Sequence, residues 1–240
     1  MVAVFGGREK RGAGSESRPT TALPAQRSTL QSLALGRQHG PAESETGVRS
    51  IAVYCGASGG KGDGYLRVAR AFGQLLAEEG IEVVYGGGKV GLMGAVADGA
   101  LAAGGRVVGI IPRGLFEREV GHAGVTELRV VESMHDRKAA MAEIADGIVA
   151  LPGGYGTLDE LCEMITWAQL GLHSKPIALL NHGGYYDPLL LMFDRALEEG
   201  FIPPAFRALV MDSADPSDLL TRMRAHTPSN LARWSNGLRG

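Results

Sequence analysis

From residue 50 the chain alternates between two kinds of segment, and this alternation restricts its fold more than any other feature. Short runs at 51–55, 83–85, 107–111, 147–151 and 177–180, with a weaker one at 209–211, are rich in Val and Ile and almost without charge. Strands buried on both faces read this way, because both sides of such a strand lie in a core. The stretches between them, about 64–79, 91–103, 135–146, 157–171, 187–199 and 216–224, carry apolar residues at the period of an α-helix. A further short strand is expected at 128–131. Strands alternating with helices imply right-handed βαβ units. The expected fold is therefore α/β, a doubly wound parallel sheet covered on both sides, in one domain over residues 50–226.

Residues 1–49 differ. Arg8, Lys10, Arg11, Arg18, Arg27, Arg37 and Arg49 outnumber Glu9, Glu16, Glu43 and Glu45, and the only aromatic is Phe5. Such a segment buries too little apolar surface to offset the entropy of ordering, so it reads as a disordered tail. Residues 227–240 read as a loose C-terminal tail. The net charge of −2 gives no basic field for nucleic acid. No apolar run is long enough to cross a bilayer, so no membrane partner is expected. The two cysteines, Cys55 and Cys162, lack metal-ligand spacing. They suit a reducing, cytoplasmic setting rather than a disulfide framework.

Ligands of open α/β sheets sit beyond the carboxyl ends of the strands. Three of those ends are glycine-rich: Cys55-Gly56-Ala57-Ser58-Gly59-Gly60, Gly86-Gly87-Gly88-Lys89-Val90-Gly91 and Pro152-Gly153-Gly154-Tyr155-Gly156-Thr157. Glycine lets backbone approach a ligand, and the N–H groups of the following helix bind an anion. The second loop fits G-x-G-x-x-G through Gly86, Gly88 and Gly91. However, the next strand ends at Ile110-Ile111-Pro112-Arg113 without the ribose-binding carboxylate of a dinucleotide site. It is not a P-loop either, since Val90 follows Lys89. Turn formation and helix–strand packing are the competing reading for these glycines, Gly87 and Gly94 above all.

The third loop is the sharper signal. Thr157-Leu158-Asp159-Glu160 has the pattern of a capping box, with Thr157 as N-cap and Glu160 reaching back, so Glu160 reads equally as a structural or a catalytic residue. Asp159 and Glu163 read as solvated helix-face residues. Ser133 and Asp136 form a second capping-box pattern. It places Arg137 and Lys138 in a first helical turn, where the dipole disfavours cations and an anion would compensate. Met134 and Met141 read as core, and His135 as packing, since nothing near it has metal-ligand spacing.

Together these segments resemble the LOG ("lonely guy") family of cytokinin riboside 5′-monophosphate phosphoribohydrolases. Residues 152–160 resemble its P-G-G-x-G-T-x-x-E motif, and Met134-His135-Asp136-Arg137-Lys138 its M-H-x-R-K segment. The likeness runs from about residue 50 to 224. It includes Tyr85-Gly86-Gly87-Gly88, Gly91-Leu92-Met93-Gly94, Gly109-Ile110-Ile111-Pro112 and Ile165-Thr166-Trp167-Ala168-Gln169-Leu170-Gly171. Asp159 stands where Glu is usual, and Ala57 where Ser is common. The resemblance implies a Rossmann-like fold and no cofactor. It also implies hydrolysis of (N6-substituted) adenosine 5′-monophosphates to free base and ribose 5-phosphate, that is, cytokinin activation. Arg137 and Glu160 take the catalytic positions. Glu119, Lys138, Gly153, Gly154, Tyr155, Gly156, Thr157 and Thr166 take substrate-contacting ones. Relatives form dimers or larger homo-oligomers.

Cleavage of an N–C1′ bond builds oxocarbenium character on the ribose, which a carboxylate such as Glu160 stabilises while activating water. Arg137, always charged, suits neutralising the phosphate, orienting Glu160 or assisting the departing base. The N–H groups of residues 154–157 suit the 5′-phosphate of a purine nucleoside monophosphate. The "lysine decarboxylase" label borne by many relatives needs a Schiff-base lysine. None of Lys10, Lys61, Lys89, Lys138 and Lys175 is well set for one. A carrier or sensor that binds nucleotide without catalysis, and a nucleic-acid-binding module on the same fold, are the other classes.

Overall fold

The computed structural model describes residues 47–116 and 121–227. The expected tails at 1–49 and 227–240 therefore lie almost entirely outside the described residues, and Glu119 does as well. Seven strands form one sheet: β1 (Ser50–Tyr54), β2 (Glu82–Tyr85), β3 (Val107–Pro112), β4 (Glu127–Val131), β5 (Gly147–Ala150), β6 (Ile177–Leu180) and β7 (Val210–Ser213). Their order is β4-β3-β2-β1-β5-β6-β7, and every pairing is parallel. The helices are α1 (Gly64–Glu78), α2 (Gly91–Ala102), α3 (Arg113–Phe116), α4 (Met134–Ile144), α5 (Tyr155–Gln169), α6 (Asp187–Glu198), α7 (Pro204–Arg207) and α8 (Pro216–Arg224).

Strand alternation divides the core between the two faces. Ile51 and Val53 of β1 face a cluster with Phe72 and Leu76 of α1, Val96 of α2 and Leu219 of α8. Ala52 and Tyr54 face the other cluster, with Met141 of α4, Leu161 and Met164 of α5, and part of α6. Both faces of β1, β3, β5 and β6 are buried, which explains their uncharged runs. β4, at the sheet edge, is only partly covered and carries Glu127 and Arg129.

From β1 the chain winds outward through β2 and β3 to β4, then returns through α4 to β5 on the other side of β1. The strand order thus reverses between β1 and β5, and a crevice opens there beyond their carboxyl ends. The glycine-rich loops after both strands meet in it: the Gly56 N–H donates to the Pro152 carbonyl at 3.1 Å.

Of the two expected capping boxes, one forms and one does not. The Ser133/Asp136 capping box forms, with the Ser133 hydroxyl accepting from the Asp136 N–H and the Asp136 carboxylate from the Ser133 N–H, each at 3.1 Å. The Thr157/Glu160 box does not. α5 starts two residues earlier, with Gly154 as N-cap, so Thr157 is a buried residue inside the first turn. The short helices α3 and α7 had no clear periodic signal, since four residues complete barely one turn.

Candidate functional site

The crevice holds a cavity of about 440 Å³, within the range of small-molecule sites. Residues from the first and third glycine-rich segments, from the start of α2 just after the second, and from α4 come together there. Gly56, Ala57 and Ser58 line it from the loop after β1, Leu92 and Met93 from α2, Met134 and Arg137 from α4, and Gly153, Gly154, Gly156, Thr157 and Glu160 from the start of α5.

Arg137 is buried, 8% exposed, although it carries a charge. Its Nε donates to the Ile110 carbonyl at 3.2 Å and its Nη2 to the Gly86 carbonyl at 3.3 Å. Its Nη1 lies 3.5 Å from Oε1 of Glu160, also buried. The carbonyl ends of β2 and β3 and one carboxylate thus hold the guanidinium, as a buried charge requires. Gly86 makes this possible: a Cβ there would lie 1.6 Å from Arg137 Nη2. The glycines of the second loop therefore serve packing. Gly91 and Gly94 would likewise drive a Cβ into the backbone of Ala57 and Lys89, at 2.3 and 1.9 Å.

Burial pushes the Glu160 carboxyl above its ordinary pKa. The Arg137 charge opposes that rise, and Asp159 adds to it. Glu160 also influences its neighbours on β1. Burial, then the charges of Glu160 and Glu163, raise the phenol of Tyr54, whose hydroxyl has no hydrogen-bond partner. Burial and Glu160 raise the Cys55 thiol, so this cavity-lining cysteine is held as a thiol and is unsuited to nucleophilic work.

Lys138 turns away from Arg137. Its Nζ lies 3.0 Å from Asp159 Oδ2 and 3.0 Å from Glu163 Oε2. Asp159 and Glu163, expected to be merely solvated, thus bind α5 to α4. Burial works against the Lys138 ammonium, but the hydrogen bonds it donates to Glu163 and Asp159, with their charges, outweigh it, and its pKa is raised.

Among the expected site residues, the structure gathers Arg137, Glu160, Gly153, Gly154, Gly156 and Thr157. Lys138, Tyr155 and Thr166 stand outside the cavity lining of this single chain. The Tyr155 side chain is almost fully exposed, and the Thr166 hydroxyl donates to the Cys162 carbonyl within α5 at 2.7 Å. Sequence reasoning missed Tyr185, Tyr65 and Leu115, which also line the cavity. Tyr185 follows Gly183 and Gly184 just beyond the end of β6, and that glycine–aromatic run at a strand terminus was the available signal. Among the described residues no group of three or more His, Cys, Asp or Glu could hold a metal, and no helix is long and apolar enough to cross a membrane.

The family model described as "Possible lysine decarboxylase" matches residues 93–223. The probable cytokinin riboside 5′-monophosphate phosphoribohydrolase LOGL5 of Oryza sativa subsp. japonica is 49% identical over 180 residues, 75% of this chain and 73% of that protein. The cytokinin riboside 5′-monophosphate phosphoribohydrolase LOG of the same plant is 46% identical over 186 residues, 78% of this chain and 77% of its own length. In fold, the chain is similar to the molybdenum cofactor carrier protein of Chlamydomonas reinhardtii, with a TM-score of 0.56 at 21% identity, over 74% of this chain and 97% of that one. That similarity is one of Rossmann-like fold alone, whereas identity approaching one half over three quarters of the chain shows kinship. The chain belongs to the LOG family of cytokinin riboside 5′-monophosphate phosphoribohydrolases.

Proposed function

We propose that the chain hydrolyses the N-glycosidic bond of adenosine 5′-monophosphates, N6-substituted ones included, releasing the free base and ribose 5-phosphate. The observation that carries this reading is the buried Arg137–Glu160 pair beside the glycine-rich start of α5. A Cβ on Gly154 or Gly156 would meet no protein atom within 4 Å, so their bareness serves space in the cavity rather than packing. The phosphate occupies that space, against the free N–H groups of the first turn of α5. The apolar wall formed by Leu92, Met93, Leu115 and Met134 takes the base and its substituent.

As the C1′–N bond breaks, its electron pair leaves with the base and positive charge grows on the ribose. The Glu160 carboxylate stabilises that charge and accepts a proton from the water whose oxygen bonds to C1′. The departing base takes up that proton, so the water is divided between ribose and base and Glu160 returns to its starting form. Arg137 opposes the rise that burial gives the Glu160 pKa and orients the carboxylate. Lys138, committed to Asp159 and Glu163, supports the helix carrying Glu160. The exposed Leu170, Leu172, Leu191 and Met192 support a homodimer or larger homo-oligomer. The free thiols of Cys55 and Cys162 fit a cytoplasmic setting.

The residues do not fit the pyridoxal chemistry of a lysine decarboxylase. Among the described residues no lysine lines the cavity. Lys61 and Lys89 are exposed, Lys138 is ion-paired, and Lys175 donates to the Ala142 carbonyl. Incubation with AMP and with N6-isopentenyl-AMP, followed by chromatography, tests the proposal. Free base from at least one of them is expected. Tight binding without base release would instead favour a nucleotide carrier.

A further inference from the structure

We propose that Tyr185 is a positioning residue for the 5′-phosphate, its hydroxyl holding the Gly153 carbonyl and thereby aiming the Gly154 N–H into the cavity. The proposal rests on the reading that residues 154–157 bind that phosphate.

Three successive carbonyls at the end of β5 are each held by a donor from another part of the fold. The Leu151 carbonyl accepts from the Tyr186 hydroxyl at 2.6 Å, the Pro152 carbonyl from the Gly56 N–H at 3.1 Å, and the Gly153 carbonyl from the Tyr185 hydroxyl. A trans peptide is planar, so its C=O and the following N–H point in opposite directions. Fixing the Pro152 oxygen therefore fixes the Gly153 N–H, and fixing the Gly153 oxygen fixes the Gly154 N–H. This restraint matters because the peptide joins two glycines, the residue type that rotates most freely. Gly153 is already confined, since a Cβ there would lie 2.1 Å from Thr157 Oγ1. Gly154 has no such neighbour, and it is the N-cap of α5.

Tyr185 is itself well placed to hold a direction. It belongs to the turn after β6, where Gly183 and Gly184 have positive φ. Buried Asn181 accepts from the Tyr186 N–H and donates to Asp187 Oδ1, both at 2.7 Å, which ties the turn to the start of α6. The Tyr185 ring packs edge-on against Tyr186 and against Tyr65, with centroids 5.1 and 5.9 Å away. Exposure separates the two tyrosines. Tyr186 is 1% exposed, so its hydroxyl is needed to satisfy buried groups, whereas Tyr185 at 39% could be satisfied by water. Its choice of the Gly153 carbonyl is therefore a matter of orientation more than of stability.

Tyr185→Phe in the full chain isolates the hydroxyl. The expected result is a KM for AMP about tenfold higher, the equivalent of one hydrogen bond, with kcat little changed. Inhibition by ribose 5-phosphate should weaken by a similar factor while inhibition by adenine stays as it was, and the melting temperature should hold. Wild-type values of KM and of ribose 5-phosphate inhibition in this variant would overturn the role of Tyr185, as would a fall in kcat at constant KM. The wild-type protein, assayed with AMP and adenosine, tests the underlying reading separately. Equal kcat/KM for the two would overturn phosphate binding by the loop, and the role of Tyr185 with it.

Discussion

Arg137 Nη1 and Glu160 Oε1 face each other at 3.5 Å on the lining of one cavity, with both side chains less than a tenth exposed. The two residues come from different helices, α4 and α5, and that separation is 3.5 Å rather than a tight bidentate contact. A ligand group can therefore approach either residue. Glu160→Gln keeps the shape and removes the charge. With Glu160 well inside α5 and no capping box present, a change there reports on chemistry and not on helix capping. Base release from AMP should fall by about a thousandfold, the scale of losing a preorganised electrostatic partner, while nucleotide still binds. Turnover near the wild-type rate would refute the mechanism.

The same substitution has a pH signature. Burial raises the Glu160 pKa above its value in the unfolded chain. A group raised in this way contributes stability that is fully present below the unfolded pKa and is lost as pH rises through the folded one. Wild type therefore loses stability over that interval, whereas the Gln variant has no proton to lose. The melting temperature of Glu160→Gln relative to wild type should become more favourable as pH rises from the acid side of the carboxylate range to neutrality. A difference independent of pH would mean that Glu160 keeps an ordinary pKa.

Gly86→Ala tests the support of Arg137 from a residue with no chemistry of its own. The added methyl would sit 1.6 Å from Nη2 and 3.0 Å from the Met93 sulfur, so the guanidinium must move. A displacement of about 1 Å is enough to lower turnover by about a hundredfold when the group is a positioned catalytic one. The fold should survive, because the clash is with the end of a side chain rather than with backbone. Measured kcat should drop while circular dichroism remains native; an unchanged kcat would show that Arg137 tolerates displacement.

How far the site was legible depended on the range of the contacts involved. The uncharged runs placed β1, β3, β5 and β6 to within about one residue, because burial on both faces leaves a local mark. The Ser133/Asp136 box was local too, and it formed. Thr157-x-x-Glu160 carried the same local pattern with a different outcome. There the start of α5 is set by Gly153, which must lie against Thr157 and Gly56, and such packing between distant segments leaves no period in the sequence. Lys138 illustrates the same limit, since its partners Asp159 and Glu163 meet it only once α4 and α5 pack together. Tyr185 was overlooked because its hydroxyl acts on a backbone carbonyl 32 positions away.

Gly156→Ala sets the interests of the fold against those of the ligand. Gly156 lies in the first turn of α5, and a Cβ there would touch no protein atom within 4 Å. Alanine should therefore stabilise the helix, by about 0.4–1 kcal/mol, through its better propensity and the reduced freedom of the unfolded chain. The new methyl would point into space that the proposed function gives to the phosphate, beside N–H groups that must reach its oxygens. The expected outcome is a melting temperature equal to or above wild type, together with a KM for AMP raised by at least about tenfold, while adenosine, which lacks the phosphate, is affected much less. Glycine retained only for helix packing would behave differently, since alanine would then lower the melting temperature and leave the ratio of AMP to adenosine turnover unchanged. Thermal denaturation and paired steady-state assays on this variant thus separate an anion site from a merely tight turn.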